Sequence, residues 1–337
     1  MVVALLALAG CAGNRPAPKQ VPDDLVWPRP PDIPRIKFID SISSEEDLGG
    51  KKKKKLADMI LGRDPSKEVK RLRKPYGVST DSKGRIYVAD SAQGVVFVFD
   101  RETGEVSFVG RKGAFRLGWP IDVVVDGDDN VYVSDVQLKN VLVFDFQGNF
   151  KQALAKKGTF VNPTGLALDK KNRRLLVADS KTHEIKVFGL DGTFIKKFGG
   201  RGFEEGFFNF PTNIAIDKKG FIYIVDTGNH RVQVFDENYE YYDDFGTLGT
   251  RPGQFRRPKG IALDSENHIY VVDSDFNNFQ LFNQDYQILM HVGNYGHGFG
   301  QFWLPAGLHI DDKDRIYVVD SVNRRVQIFQ YLKQNED

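Results

Sequence analysis

Twelve aspartates fall into two sets of six, and carboxylates at so regular a spacing could ring a divalent cation or share acid–base work. The first set is Asp81, Asp126, Asp169, Asp217, Asp264 and Asp311, and the second is Asp90, Asp135, Asp179, Asp226, Asp273 and Asp320. Histidine, which such chemistry often recruits, occurs six times in 337 residues. The only cysteine is Cys11, which excludes an intrachain disulfide framework and any paired-cysteine zinc or redox site. No Gly-x-Ser-x-Gly elbow and no Gly-Lys-Ser/Thr phosphate loop is present.

The placement of the carboxylates argues for turns. Each member of the first set lies six residues after a proline, and these prolines (Pro75, Pro120, Pro163, Pro211, Pro258, Pro305) recur at intervals of 45, 43, 48, 47 and 47 residues. A fixed long period means one supersecondary unit repeated, here six times. Three residues past the first aspartate come Gly84, Asp129, Asn172, Gly220, Asn267 and Asp314, the residue types that best tolerate a left-handed backbone. An aspartate that opens such a turn accepts backbone N–H groups, so the repeated carboxylates are expected to hold turns, not to catalyse.

Within one copy, "TNIAID", "KKGFIYIVD", "HRVQVFD" and "EYYDDFG" are short runs rich in Val, Ile, Tyr and Phe with turn residues between them, and no segment has helical spacing long enough to compete. Four strands per repeat of about 45 residues is the blade of a β-propeller. The chain is therefore expected to be all-β with six blades. The sixth copy ends after its third strand, "RVQIFQ", whereas "PRIKFIDSIS" (34–43) has the character of a fourth strand and precedes the first copy. The segment 34–43 is predicted to pair with Val326 to Gln330 and close the ring.

The stretches "GRGFEEGFFNFPTNIAID", "GTRPGQFRRPKGIALD" and "GHGFGQFWLPAGLHID", continued by "DTGNHRV" and "DSVNRRV", resemble NHL repeats over residues 72–332, and six of them look like a six-bladed NHL propeller. The resemblance implies the fold and leaves function open, because this architecture hosts unrelated activities. A peptidyl-amidating lyase of related fold would need several histidines converging from inner strands, and only His309 occupies such a strand. A lactonase-like hydrolase would need a ring of Glu, Asp and Asn, of which Asp122 and Asn213 could be two members, without a convergent Glu. No cofactor is implied.

In the usual propeller layout, the loop leading into the innermost strand and the loop after the second strand emerge on one face, where ligands commonly bind. Two positions after each proline, four copies have Gly77, Gly165, Gly260 and Gly307, but two have Asp122 and Asn213. Either these two stand in for glycine at a left-handed position, or they project polar groups into the channel mouth. Tyr76, Ile121, Asp122, Thr164, Thr212, Asn213, Lys259 and Ala306 are thus the candidate binding face. In the later interblade loops, Phe208, Phe255 and Phe302 follow paired glycines (Gly202 and Gly206, Gly249 and Gly253, Gly296 and Gly300) and are expected to fill gaps between blades.

With 41% hydrophobic and 27% charged residues and a net charge of +2, the bulk composition is ordinary and calls for no nucleic acid. The segment "MVVALLALAG" is too short to span a bilayer. The "LAGC" that ends at Cys11 resembles the lipobox of bacterial lipoproteins, which implies cleavage of residues 1–10 and a lipid on Cys11. No Lys or Arg precedes the apolar run, which places the start of such a signal upstream. Residues 11–33 are Pro-rich and suit a tether. Ala12, by that resemblance, points to the outer membrane facing the periplasm.

Residues 44–74 form a basic insertion; the stretch 51–75 holds eleven basic and three acidic residues, which leaves the rest of the chain at −6. Lys51, Lys52, Lys53, Lys54 and Lys55, beside an apolar edge of Leu56, Met59, Ile60 and Leu61, would suit contact with anionic lipid or an acidic partner, or form a solvated connector. The propeller proper spans 75–332, with a tail at 333–337. The whole suggests a monomeric, lipid-anchored, noncatalytic scaffold for an envelope protein or extended ligand. The alternative is a small-molecule sensor or metal-dependent hydrolase or lyase at the channel mouth.

Overall fold

The computed structural model describes residues 25–49, 70–111 and 115–333. The alternating β-branched and aromatic runs form six antiparallel sheets, joined into a ring through their innermost strands. Blade 1 is Pro75–Thr80, Ile86–Asp90, Val95–Asp100 and Glu105–Val109, and blade 2 is Pro120–Val125, Val131–Asp135, Asn140–Phe144 and Phe150–Ala153. Blade 3 is Pro163–Asp169, Arg174–Asp179, Glu184–Gly189 and Phe194–Gly199, and blade 4 is Pro211–Ile216, Ile222–Asp226, Arg231–Phe235 and Tyr241–Phe245. Blade 5 is Pro258–Leu263, Ile269–Asp273, Asn278–Phe282 and Ile288–Val292. Blade 6 has Pro305–Ile310, Arg315–Asp320 and Arg325–Tyr331 from the end of the chain.

The fourth strand of blade 6 is Ile36–Ile42, as predicted, paired antiparallel with Arg325–Tyr331 from Ile36↔Tyr331 to Ile42↔Val326. A fifth strand, Val26–Trp27, lies outside it. Residues 25–33, expected within the tether, thus begin against the ring, with Trp27 edge-on to Phe329 at 5.7 Å between ring centroids.

The core is not a single cluster but a set of layers between blades, because each twisted sheet buries both faces against its neighbours. Ile36 and Phe38 pack with Phe279, Phe302, Phe329 and Tyr331 between blades 5 and 6, and Ile42 packs with Val88, Phe97 and Val319 between blades 6 and 1. The closing strand therefore contributes to two interblade layers at once. Phe208, Phe255 and Phe302 are fully buried in the gaps between blades, as expected.

The first aspartate set does hold the hairpin turns. Asp126 Oδ1, for example, accepts the N–H groups of Asp128 and Asn130 at 2.9 Å, and the Tyr132 hydroxyl donates to its Oδ2 at 3.1 Å. Left-handed backbones occur at Gly84, Asp129, Gly220, Asn267 and Asp314; in blade 3, whose turn is differently registered, the left-handed residue is Arg173, not Asn172.

Removing residues 34–43 is expected to lower the melting temperature by about 10 °C or more, since it strips Arg325–Tyr331 of its partner and empties two interblade layers. A melting temperature equal to that of the full chain would show that the ring closes without this strand.

Candidate functional site

The second aspartate set, all 0% exposed, sits where the second strand ends, opposite the proline that starts the inner strand. Each accepts backbone N–H groups from the loop that leads into its own blade: Asp90 from Arg73 and Lys74, Asp135 from Gly118 and Trp119, Asp179 from Val161 and Asn162. Asp226 takes Asn209, Asp273 takes Arg256 and Arg257, and Asp320 takes Trp303. These carboxylates are committed to the backbone.

In blades 4 to 6 the following residues extend this clamp. In blade 6, Asn323 donates to the Gly296 carbonyl, Arg325 to those of Gly298 and Gln301, and the buried Gln327 accepts the Gly300 N–H at 2.9 Å while donating to the Gln301 carbonyl at 2.7 Å. Arg231 and Gln233 hold the loop before blade 4 in the same way, through the carbonyls of Phe203, Glu204 and Phe207. So the repeated "DTGNHRVQVF" is more than a turn and a strand: its polar side chains fix the preceding interblade loop.

At the axis, Gly77, Gly165, Gly260 and Gly307 are not left-handed. They are needed for close approach instead. A Cβ at Gly77 would lie 2.6 Å from Asp122 Cα, and one at Gly307 would lie 2.3 Å from the Tyr76 carbonyl oxygen. Asp122 and Asn213 occupy the same layer, so of the two alternatives it is the polar projection into the channel that the geometry supports. Asp122 is only 7% exposed. Its Oδ2 accepts the Leu166 N–H at 3.0 Å and the Asn213 amide at 3.5 Å, and its Oδ1 accepts the Val123 N–H at 2.9 Å. Burial pushes its carboxyl up to about 7, against the pull of these donors.

A cavity of about 220 Å³ starts at Asp122 and Asn213 and runs along the aliphatic inner strands toward the opposite face, where the exposed Lys170 lines it. His309 is on its wall, 2.9 Å from Thr80 Oγ1, and burial lowers its imidazole to about 4, so the ring is neutral at pH 7. Among the described residues, no group of three or more His, Cys, Asp or Glu converges.

Of the other candidate residues, Tyr76, Ile121, Thr164, Thr212 and Lys259 are partly exposed at the mouth beside Asp122 and Asn213, and Ala306 is buried. Thr164 and Thr212 spend their hydroxyls within the ring, on Ser180 Oγ at 2.8 Å and Thr227 Oγ1 at 2.7 Å. Burial beside Arg257 lowers the Lys259 ammonium to about 8. Cys11 and Lys51, Lys52, Lys53, Lys54 and Lys55 lie outside the described residues.

Sequence reasoning missed the loops themselves. Of eighteen exposed large apolar side chains among the described residues, eleven lie on the loops of the face that starts the inner strands, including Trp119 (59% exposed), Phe203 (77%), Phe210 (47%), Leu248 (64%) and Tyr295 (57%). The loops of the opposite face hold two, Ile33 and Phe146. A signal was present: in "GFFNF" (206–210) one phenylalanine, Phe208, is in register with the buried ones, and its neighbours Phe207 and Phe210 are not.

The family described as "NHL repeat" matches residues 208–235, 255–282 and 302–329, the three blades with the glutamine clamp, and one described as "6-bladed beta-propeller" matches residues 119–199. The protein is a six-bladed β-propeller whose blades 4 to 6 are NHL repeats. No curated protein matches the chain. Among solved structures, the propeller is similar to a Bacteroides thetaiotaomicron protein of unknown function (14% identity, 88% of this chain and 75% of that one, TM-score 0.64). It is also similar to a Xanthomonas campestris gluconolactonase (13%, 77% and 87%, 0.61) and to the Staphylococcus aureus virginiamycin B lyase (11%, 88% and 100%, 0.59). At these identities the likeness is one of fold.

Two predictions follow from this geometry. Because the folded pKa of Asp122, about 7, lies above the 3.8 of an ordinary carboxyl, the folded protein keeps a proton that the unfolded chain has lost between those pH values. This group's contribution to stability therefore falls as pH rises from about 4 to 7. The unfolding free energy of the wild type relative to Asp122→Gly should drop by a few kcal/mol over that range in denaturant titrations; a constant difference would mean an ordinary carboxylate. Separately, Gln280→Ala removes the acceptor of the Gly253 N–H and the donor to the Gln254 carbonyl, and should cost about 1–3 kcal/mol and speed amide exchange at 253–255.

Proposed function

We infer that the protein is a noncatalytic recognition module, held at the cell envelope by a lipid on Cys11 and facing the periplasm from the outer membrane, that engages a protein or extended ligand through its loop face. The observation that carries this reading is the concentration of exposed aromatic and aliphatic side chains on one face, on loops whose backbones are fixed by buried Asp, Arg and Gln and half-buried Asn. Apolar groups held exposed at the cost of contact with water mark interaction surfaces. The two aspartate sets, which look chemical in the sequence, are occupied with backbone N–H groups. By the lipobox resemblance, the Pro-rich residues after Cys11 supply reach, and anchoring raises the local concentration of the module at the membrane.

A second reading, a small-molecule sensor or hydrolase, is favoured by the cavity that Asp122, Asn213 and His309 share. The names of the gluconolactonase and the lyase add an analogy of fold to it. It would place the ligand on the axis, away from the aromatic loops.

A photo-crosslinking residue placed at Trp119, Phe210 or Thr212 in the lipidated protein should give discrete adducts in living cells, and one at Glu240, in a turn of the opposite face, should not. Equal labelling at Glu240, or none at any loop position, would overturn the loop-face reading in favour of the channel.

A further inference from the structure

The loop face is also strongly basic. Among the described residues, the twelve segments on this face, which lead into the inner strands or join second to third strands, carry fifteen Lys and Arg against six Asp and Glu. The twelve segments joining strands on the opposite face carry eleven against eighteen. A chain with a net charge of +2 has thus sorted its charges onto two faces.

The basic and apolar side chains share the same loops. Segment 110–119 bears Arg111 and Arg116 with Phe115 and Trp119, segment 246–257 bears Arg251, Arg256 and Arg257 with Leu248, and segment 154–162 bears Lys156 and Lys157 with Val161. All seven of these arginines and lysines are exposed, and Phe115, Trp119, Leu248 and Val161 are exposed as well.

Interleaved aromatic and cationic groups fit a surface that is anionic outside and apolar just beneath, since phosphates take the cations while rings settle at the headgroup level. An acidic protein would answer the charge but not so wide a scatter of separate apolar tips. The ring of loops is also broad and fixed, which suits a flat, laterally extended target. We propose that the loop face docks on the headgroups of an anionic phospholipid bilayer, with the acidic face turned away. This rests on the loop face being the binding surface and names its partner.

The test uses the full chain carrying Cys11→Ser, so that no acyl chain contributes, in co-sedimentation with vesicles of phosphatidylcholine, with and without phosphatidylglycerol. Binding should require phosphatidylglycerol and weaken with salt. Arg256→Glu with Arg257→Glu should weaken it at least about tenfold, and Trp119→Ser with Phe210→Ser should weaken it as well. Reversal of Lys218 and Lys219 to Glu on the opposite face should leave binding unchanged. All six side chains are at the surface, and unchanged melting curves would confirm that each variant folds.

Equal binding to neutral vesicles, indifference to the Arg256 and Arg257 reversal, or binding to single-stranded RNA but not to vesicles would overturn the proposal. If vesicles fail while loop-face crosslinks to a protein persist, the lipid partner is wrong and the recognition reading stands. If both fail, the loop face is not the binding surface.

Discussion

The structure turns on one interaction made six times: a fully buried aspartate at the corner of each blade accepts the backbone N–H groups of the loop that leads into that blade's inner strand. Burying a carboxylate is costly unless hydrogen bonds replace its water, and these corners supply several. In Asp226 and Asp320 the cost still shows, since desolvation raises their pKa despite the donors around them. The bond fixes where the loop ends and the inner strand begins, and so sets the height at which the six inner strands meet. Only then can the glycine layer at the axis close to van der Waals contact with neighbouring backbone.

Much of this was legible in the sequence, because a repeat averages out local ambiguity. The proline interval, the two aspartate sets and the missing fourth strand of the last copy were enough to place the blades and the closure, and the segment at 34–43 pairs with the strand expected. What was not legible depends on which residues meet across the ring. Gly77 and Gly307 look like turn glycines in one dimension, and only the approach of Asp122 and Tyr76 from neighbouring blades shows that space, not backbone angle, demands them. The exposed aromatics were missed for a related reason. A phenylalanine in a glycine-rich loop taken alone carries no mark of its direction; only the shared register with Phe255 and Phe302 separates Phe208, which points in, from Phe207 and Phe210, which do not.

The blades are not equivalent in how firmly they hold their loops. Gln233, Gln280 and Gln327 each bridge two backbone groups of the loop before their blade. At the corresponding positions stand Phe97, Leu142 and Lys186 in blades 1 to 3, and of these only Lys186 reaches a loop carbonyl, that of Thr159, while pairing with Asp179 at 2.6 Å. Blades 4 to 6 therefore present loops bridged at two backbone groups by a third-strand glutamine, whereas blades 1 to 3 rely on the corner aspartate, with single donors to a loop carbonyl from Gln93 in blade 1 and Lys186 in blade 3. A face built this way combines fixed and more adaptable sectors around one axis.

The pairing of Ile36–Ile42 with Arg325–Tyr331 joins segments from opposite ends of the sequence. In a polypeptide that emerges N-terminus first, whether from a ribosome or through a translocation pore, the closing strand appears before any blade and its partner appears after all the others. The early strand must wait, unpaired, while five sheets assemble. Contacts this distant in sequence are slow to form, so the final step of maturation is the meeting of the first strand with the last. The period of greatest vulnerability to proteases and to mispairing with other chains is accordingly the interval of biosynthesis itself, and it ends only when the last residues of the ring are released.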